Sequence, residues 1–231
     1  MKPSTIKCIY KFLNETGPES KNDTVLFRGQ PGLDPLLPRI ARQNPKKDTK
    51  LLERKMLNEL RRIGGANFPH KNENDLDLLV RAQHFGMATR LLDWTSNPLV
   101  AIWFACTYSP KNKPGHIYFF EPSKKDIPFT DDIEDPFSKR KTLIFKPNLN
   151  NPRIIAQSGW FTLHSYSSKA GNFVPLEKNT DLKKEISCYE IPANEKSYFL
   201  EDLNHMGINA RSLFPDATGI CLHLNWLHNI D

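Results

Sequence analysis

Two segments of this chain are too polar for packing alone to explain them. LFRGQ (26–30) sets Arg28 between an apolar run and the pair Gly29 and Gln30. RAQHFGMATRLLDWTSNP (81–98) carries His84, Arg90, Asp93, Trp94, Thr95 and Ser96 straight into a charge-free stretch. A guanidinium is a planar fork that takes phosphate or carboxylate oxygens two at a time. Hydroxyls ahead of a capped helix start add side-chain and backbone donors for the same kind of ligand. Read jointly, Arg28, Thr95 and Ser96 make an anion-tolerant pocket, with Gly29, Gln30, His84, Arg90, Asp93 and Trp94 as candidate binding residues around it. The competing reading is structural: Arg28, Arg90 and Asp93 form a buried charge network, and residues 95 to 97 cap a helix. His84 is a candidate general base near Asp93, or a structural hydrogen-bonding histidine. Trp94 and Trp103 also read as core.

A third cluster is RIIAQSGWFTLH (153–164). Arg153, Gln157 and Ser158 interrupt what reads as a strand pair, and Gly159 permits a bulge or close approach. Gln157 can hydrogen-bond a ribose or an amide but cannot act as an acid or base. The familiar phosphate-loop, dinucleotide, serine-elbow and zinc-protease motifs are missing from the sequence. His223 and His228 stand five apart with no cysteine or carboxylate cluster to complete a shell, so no metal is expected. Cys106, inside an apolar run, reads as inert packing.

These residues need elements to hold them. TVLF (24–27) reads as a short buried strand that leaves Arg28 at its end. Residues 4–14 and 74–84 read as helices, and 49–63 as an amphipathic one with Leu52, Met56, Leu60 and Ile63 in one stripe. SNPLVAIWFACTY (96–108) carries no charge. Pro98 suits its first turn, Asn97 or Ser96 its cap, and its all-round apolarity a central position. Strands are expected at 116–120, 142–145, 153–156, 160–164, 186–191 and 219–224, with a last helix near 195–206 and a turn at Phe214-Pro215-Asp216. Helices mostly first and strands mostly later predict an α+β fold with a mixed, mostly antiparallel sheet.

Composition sets the outer limits. With 231 residues, 39% hydrophobic and 25% charged, the chain suits one globular domain over 1–231. It holds no apolar run long enough for a membrane span and no leader-like N-terminus. Cys8, Cys106, Cys188 and Cys221 are scattered in the manner of reduced, buried thiols, which suits the cytoplasm. The net charge of +6 is a modest excess. The basic tracts at 46–55 and 138–141 mix with or abut acids, so they read as solvated faces and nucleic acid ranks last among partners.

Phe27-Arg28-Gly29, QHFGMATRLLDWTSNPLVAIWFA (83–105), RIIAQSGWFT (153–162) and SLFPDATGI (212–220) together resemble the FRG domain family, over about residues 20–225. Ala88 stands where that family often has proline. The resemblance implies a bacterial or phage protein. A second resemblance is to ADP-ribosyltransferases, carried by Arg28, Thr95-Ser96, Val100-Ala101 and Phe104-Ala105. It implies a sheet split around a cleft, Arg28 on the diphosphate of NAD, and Thr95 and Ser96 at the nicotinamide ribose. A later residue would act at the anomeric carbon, either Gln157 or, as the carboxylate alternative, Glu190. The expectation is a cleft for NAD or a related nucleotide, with ADP-ribosyl transfer, to a protein acceptor for example, or NAD glycohydrolysis. The alternative is a non-catalytic module that binds a protein or peptide.

Overall fold

The apolar runs of the second half pair around the two strands of the first. The computed structural model describes residues 24–64, 73–108, 112–123, 127, 133–149 and 151–230, together with 11, 13 and 14. Its strands are β1 (Leu26–Gln30), β2 (Leu91–Thr95), β3 (Gly115–Phe120), β4 (Leu143–Phe145), β5 (Gly159–Leu163), β6 (Tyr166–Ser167), β7 (Asn172–Phe173) and β8 (Ile186–Ile191). Six form one sheet in the order β4-β5-β2-β1-β3-β8, and β6 pairs with β7 apart from it. Every pairing among the described residues is antiparallel, so the mixed sheet expected from the sequence is corrected to an antiparallel one. The helices are α1 (Lys50–Ile63), α2 (Asp75–His84), α3 (Pro98–Thr107), α4 (Pro152–Ala156), α5 (Lys196–His205), α6 (Ala210–Leu213) and α7 (Ala217–Leu227). No helix among the described residues is long and apolar enough to cross a membrane.

Because side chains alternate across a strand, the sheet feeds a core on each face. Leu26, Leu92, Trp94, Tyr118, Phe120 and Ile144 build the core behind it. In front there are two. Phe27, Ile117 and Phe119 pack against α3 and α5, while Leu91, Phe161 and Leu163 pack against α1, α2 and α4. Helix α3 starts as its sequence demands, with Asn97 accepting from the Leu99 N–H at 3.0 Å and Pro98 in the first turn. It then lies directly on β1 and β3. A Cβ on Gly29 would stand 1.8 Å from the Ala101 carbonyl oxygen, and one on Gly115 2.3 Å from that of Ala105. Gly29 is therefore a packing residue rather than a source of flexibility.

Several expected elements differ. β1 runs on through Gln30, because β3 pairs with it from Leu26 to Gln30, so Arg28 sits inside the strand and not at its end. Residues 153–156 form helix α4 rather than a strand: Asn151 accepts from the Arg153 N–H at 2.9 Å and Pro152 opens the turn. Residues 219–224 lie in helix α7, capped by Asp216 from the expected turn, so the helix at 196–205 is not the last. In α1, Leu52 and Ile63 are exposed, while Glu53 and Leu57 are buried. Cys106 is buried, but Cys188 and Cys221 are exposed, contrary to the buried-thiol reading. Cys8 and most of the expected helix at 4–14 lie outside the described residues.

Candidate functional site

The sheet is forked at its centre. β1 meets β3, and β2 meets β5, over five residue pairs each, whereas β1 meets β2 only at Phe27 opposite Thr95. In antiparallel register the next contact would set Gly29 against Asp93. Instead the Arg28 side chain enters the gap, and its Nη1 donates to the Asp93 carbonyl oxygen at 2.7 Å. Its Nε donates to Gln30 Oε1 at 3.0 Å, and Gln30 is braced in turn by donating to the Asp34 carbonyl. The Arg28 side chain is only 14% exposed, and the nearest carboxylate oxygen, on Asp93, is 4.0 Å away. Burial lowers its pKa to about 10. A cation held this deep, with the Asp93 carboxylate only at the edge of ion-pair distance, favours a further anion beside it.

A cavity of about 480 Å³ opens in front of the fork, between the α3 core and the α2 core. Arg28, Arg39, Arg42 and Arg153 all line it. Arg39 opens a 3-10 turn (Arg39–Ala41) and donates to the Gly86 carbonyl at 3.0 Å, and Arg42 donates to that of Leu37 at 3.1 Å. Among the described residues neither has a carboxylate partner. Arg153 differs: Nε and Nη2 both donate to Asp216 Oδ2, and its guanidinium lies over the Phe214 ring, 5.0 Å from the centroid. Phe104, Tyr108, Trp160 and Phe214 give the cavity an aromatic wall.

The residues singled out from sequence separate into groups. Arg28, Gly29, His84, Asp93, Trp94, Thr95 and Gln157 line the cavity. The indole of Trp94 belongs to the rear core, where Nε1 donates to Thr162 Oγ1 at 3.2 Å. Thr95 Oγ1 donates to the Gln157 carbonyl at 2.6 Å and accepts from the Asn97 N–H, which ties the end of β2 to the loop before β5. Ser96 is exposed and not part of the lining; its N–H donates to the Ser158 carbonyl at 3.1 Å. The Gln157 amide donates to the Leu213 carbonyl at 3.1 Å. His84 does not partner Asp93: Gln83 Nε2 does, donating to Asp93 Oδ1 at 2.8 Å. Burial, together with the neighbouring Arg153 charge, lowers the His84 pKa below the usual imidazole value.

Two expectations are corrected outright. Arg90 does not join Arg28 and Asp93. It is 2% exposed and pairs with Glu53 of α1, donating through Nε, Nη2 and its backbone N–H to that carboxylate, while Asp93 is solvent-exposed. Glu190 does not reach the cavity. It lies on the edge strand β8, 60% exposed and 3.6 Å from His116 Nε2, with β3 between it and Arg28. Sequence reasoning passed over Arg39, Arg42 and Gln83. Two arginines three apart between Pro38 and Pro45 were the available sign of the first pair.

Fold and site together define a class: an α+β protein whose antiparallel sheet forks over an arginine-lined cleft. Residues 23–114 match the FRG domain family, so this stretch of the chain carries an FRG domain. The matched stretch runs from β1 through α3 and so contains the fork, Arg28, Arg39, Arg42 and Asp93. No curated protein and no solved structure matches the chain significantly.

Proposed function

We propose that the cleft binds NAD or a related nucleotide by its diphosphate and breaks the nicotinamide–ribose bond, releasing or transferring ADP-ribose. The observation that carries this reading is the convergence of Arg28, Arg39 and Arg42 on one cavity, where among the described residues only Arg28 has a carboxylate within ion-pair range, that of Asp93 at 4.0 Å. Arginine forks that donate internally to neutral carbonyl and amide oxygens keep their charge and further donors for phosphate oxygens. The volume falls within the range of small-molecule sites, and the aromatic wall offers planar rings a surface to lie on. The chain order supports the same reading, since the arginine of β1 comes before the Thr-Ser end of β2 in the order that the resemblance to ADP-ribosyltransferases implies, and Phe27 next to that arginine pairs with Thr95 at the fork.

Thermal shift over a ligand series tests it. NAD and ADP-ribose should raise the melting temperature of the full chain, and nicotinamide alone should not, because it carries no phosphate. No shift with either phosphate-bearing ligand at millimolar concentration would count against the reading.

A second reading, a non-catalytic protein-binding module, is favoured by α7. Ile220, Leu222, Leu224 and Leu227 on this charge-free helix are all exposed. It predicts a folded protein that is indifferent to NAD.

A further inference from the structure

We propose that Asp93 is the carboxylate that faces the reacting carbon, and that Gln83 positions it; this rests on the nucleotide reading above. Breaking a pyridinium glycoside builds positive charge on the ribose C1′ and ring oxygen. The site that accelerates such a step must hold a negative group ready before the charge appears. Gln157 is neutral and already donates to Leu213, and Glu190 stands outside the cavity.

Among the described residues that line the cavity, Asp93 alone carries a carboxylate. It is the third residue of β2, on the same face as Leu91 and Thr95, while Leu92 and Trp94 point into the rear core. That alternation aims it into the cavity. It is also oriented. The buried Thr89 hydroxyl donates to Gln83 Oε1, which fixes the amide so that Gln83 Nε2 donates to Asp93 Oδ1 at 2.8 Å. Oδ2 makes no hydrogen bond among the described residues and stands 4.0 Å from Arg28 Nη1. One oxygen is held by the amide, and the other, without a hydrogen bond among the described residues, is left to face substrate beside the Arg28 guanidinium. Arg28 is bonded to the carbonyl of the same residue, so the phosphate-facing cation and the carboxylate share one anchor.

The step balances without a further reactant. The C1′–N bond breaks and its electron pair leaves on the nicotinamide nitrogen, which becomes neutral. Asp93 stabilises the ribosyl cation. Water attacks C1′ with a lone pair and gives up one proton, which Oδ2 accepts and passes to solvent. An acceptor nucleophile in place of water gives transfer.

The test measures NAD affinity by calorimetry and nicotinamide release by chromatography on the full chain. Asp93→Asn should keep affinity within about threefold and slow release by about 100-fold or more, the scale of losing one preorganised electrostatic group. Asp93→Glu should recover part of that rate. Gln83→Leu should lower kcat with KM little changed, and should shift the acid limb of the pH–rate profile. Glu190→Gln should behave as wild type. Wild-type binding of NAD with no release, or Asp93→Asn releasing nicotinamide within threefold of wild type, would overturn the assignment while leaving the binding reading in place. Wild-type failure to bind NAD would overturn both.

Discussion

Two arginines set into the fold, Arg90 fully and Arg28 mostly buried, do opposite work. Arg90 is spent: both its guanidinium and its backbone N–H are taken by Glu53, and its charge lies over Phe137, 4.7 Å from the ring centroid. Glu53→Ala should therefore destabilise the fold by about 3–5 kcal/mol in urea unfolding, the cost of leaving a buried charge without its partner. Arg28 is unspent, held by carbonyl and amide oxygens alone at hydrogen-bonding distance. Arg28→Ala should leave the protein folded and cost about 1.5 kcal/mol or more in nucleotide affinity. A cooperative melt with lost binding confirms the distinction, and global unfolding of Arg28→Ala refutes it. Arg28 stands out in sequence as a charged residue beside an apolar run and a glycine, although the sequence reads it at the end of the strand and the structure sets it inside β1. The partner of Arg90 was not legible, since Glu53 lies 37 residues upstream and helical periodicity does not reveal which polar position turns inward. Gln83 was hidden for a related reason: its role depends on Thr89 and Asp93 arriving from the turn and strand that follow α2.

At the scale of elements, α3 is pinned hard against β1 and β3 beside the fork. Gly29→Ala should cost about 1–3 kcal/mol or more, because its Cβ would drive into helix backbone rather than a yielding side chain. Chemical unfolding of that variant measures it, and wild-type stability would refute the close packing. The capped, charge-free sequence of α3 announced its place plainly. The runs at 153–156 and 219–224 did not announce theirs. Four to six apolar residues suit a buried strand and a short helix equally well. The caps decided: Asn151 with Pro152 in one case, and Asp216 with its bonds to the Thr218 and Gly219 N–H groups in the other. Edge strand β8 was legible as a strand, but its distance from Arg28 was not, because sheet order is set by pairing across long separations. That is why Glu190 looked equivalent to Gln157 in sequence and is not so in space.

Across the whole molecule, the rear core carries a polar chain that links stability to pH. Trp94 Nε1 donates to Thr162 Oγ1, which stands 3.0 Å from His164 Nε2. Burial, with Arg28 and Arg90 adding to it, pushes the pKa of His164 down to about 3. The unfolded chain takes up this proton below roughly pH 6.5 while the folded chain does not. The contribution of His164 is thus complete above that value. It falls by about 1.4 kcal/mol per pH unit between there and pH 3. Urea unfolding at pH 7.5 and 4.5 should show wild type losing more stability than His164→Gln, and equal losses would contradict it. The central claim concerns the front of the same sheet. Its most direct test is calorimetric titration of NAD into the wild-type chain and into Arg28→Ala, both confirmed folded by thermal melting. The account predicts saturable binding to the wild type that weakens by about tenfold or more in the variant. Equal affinity in the two proteins, or no heat of binding in the wild type, would contradict it.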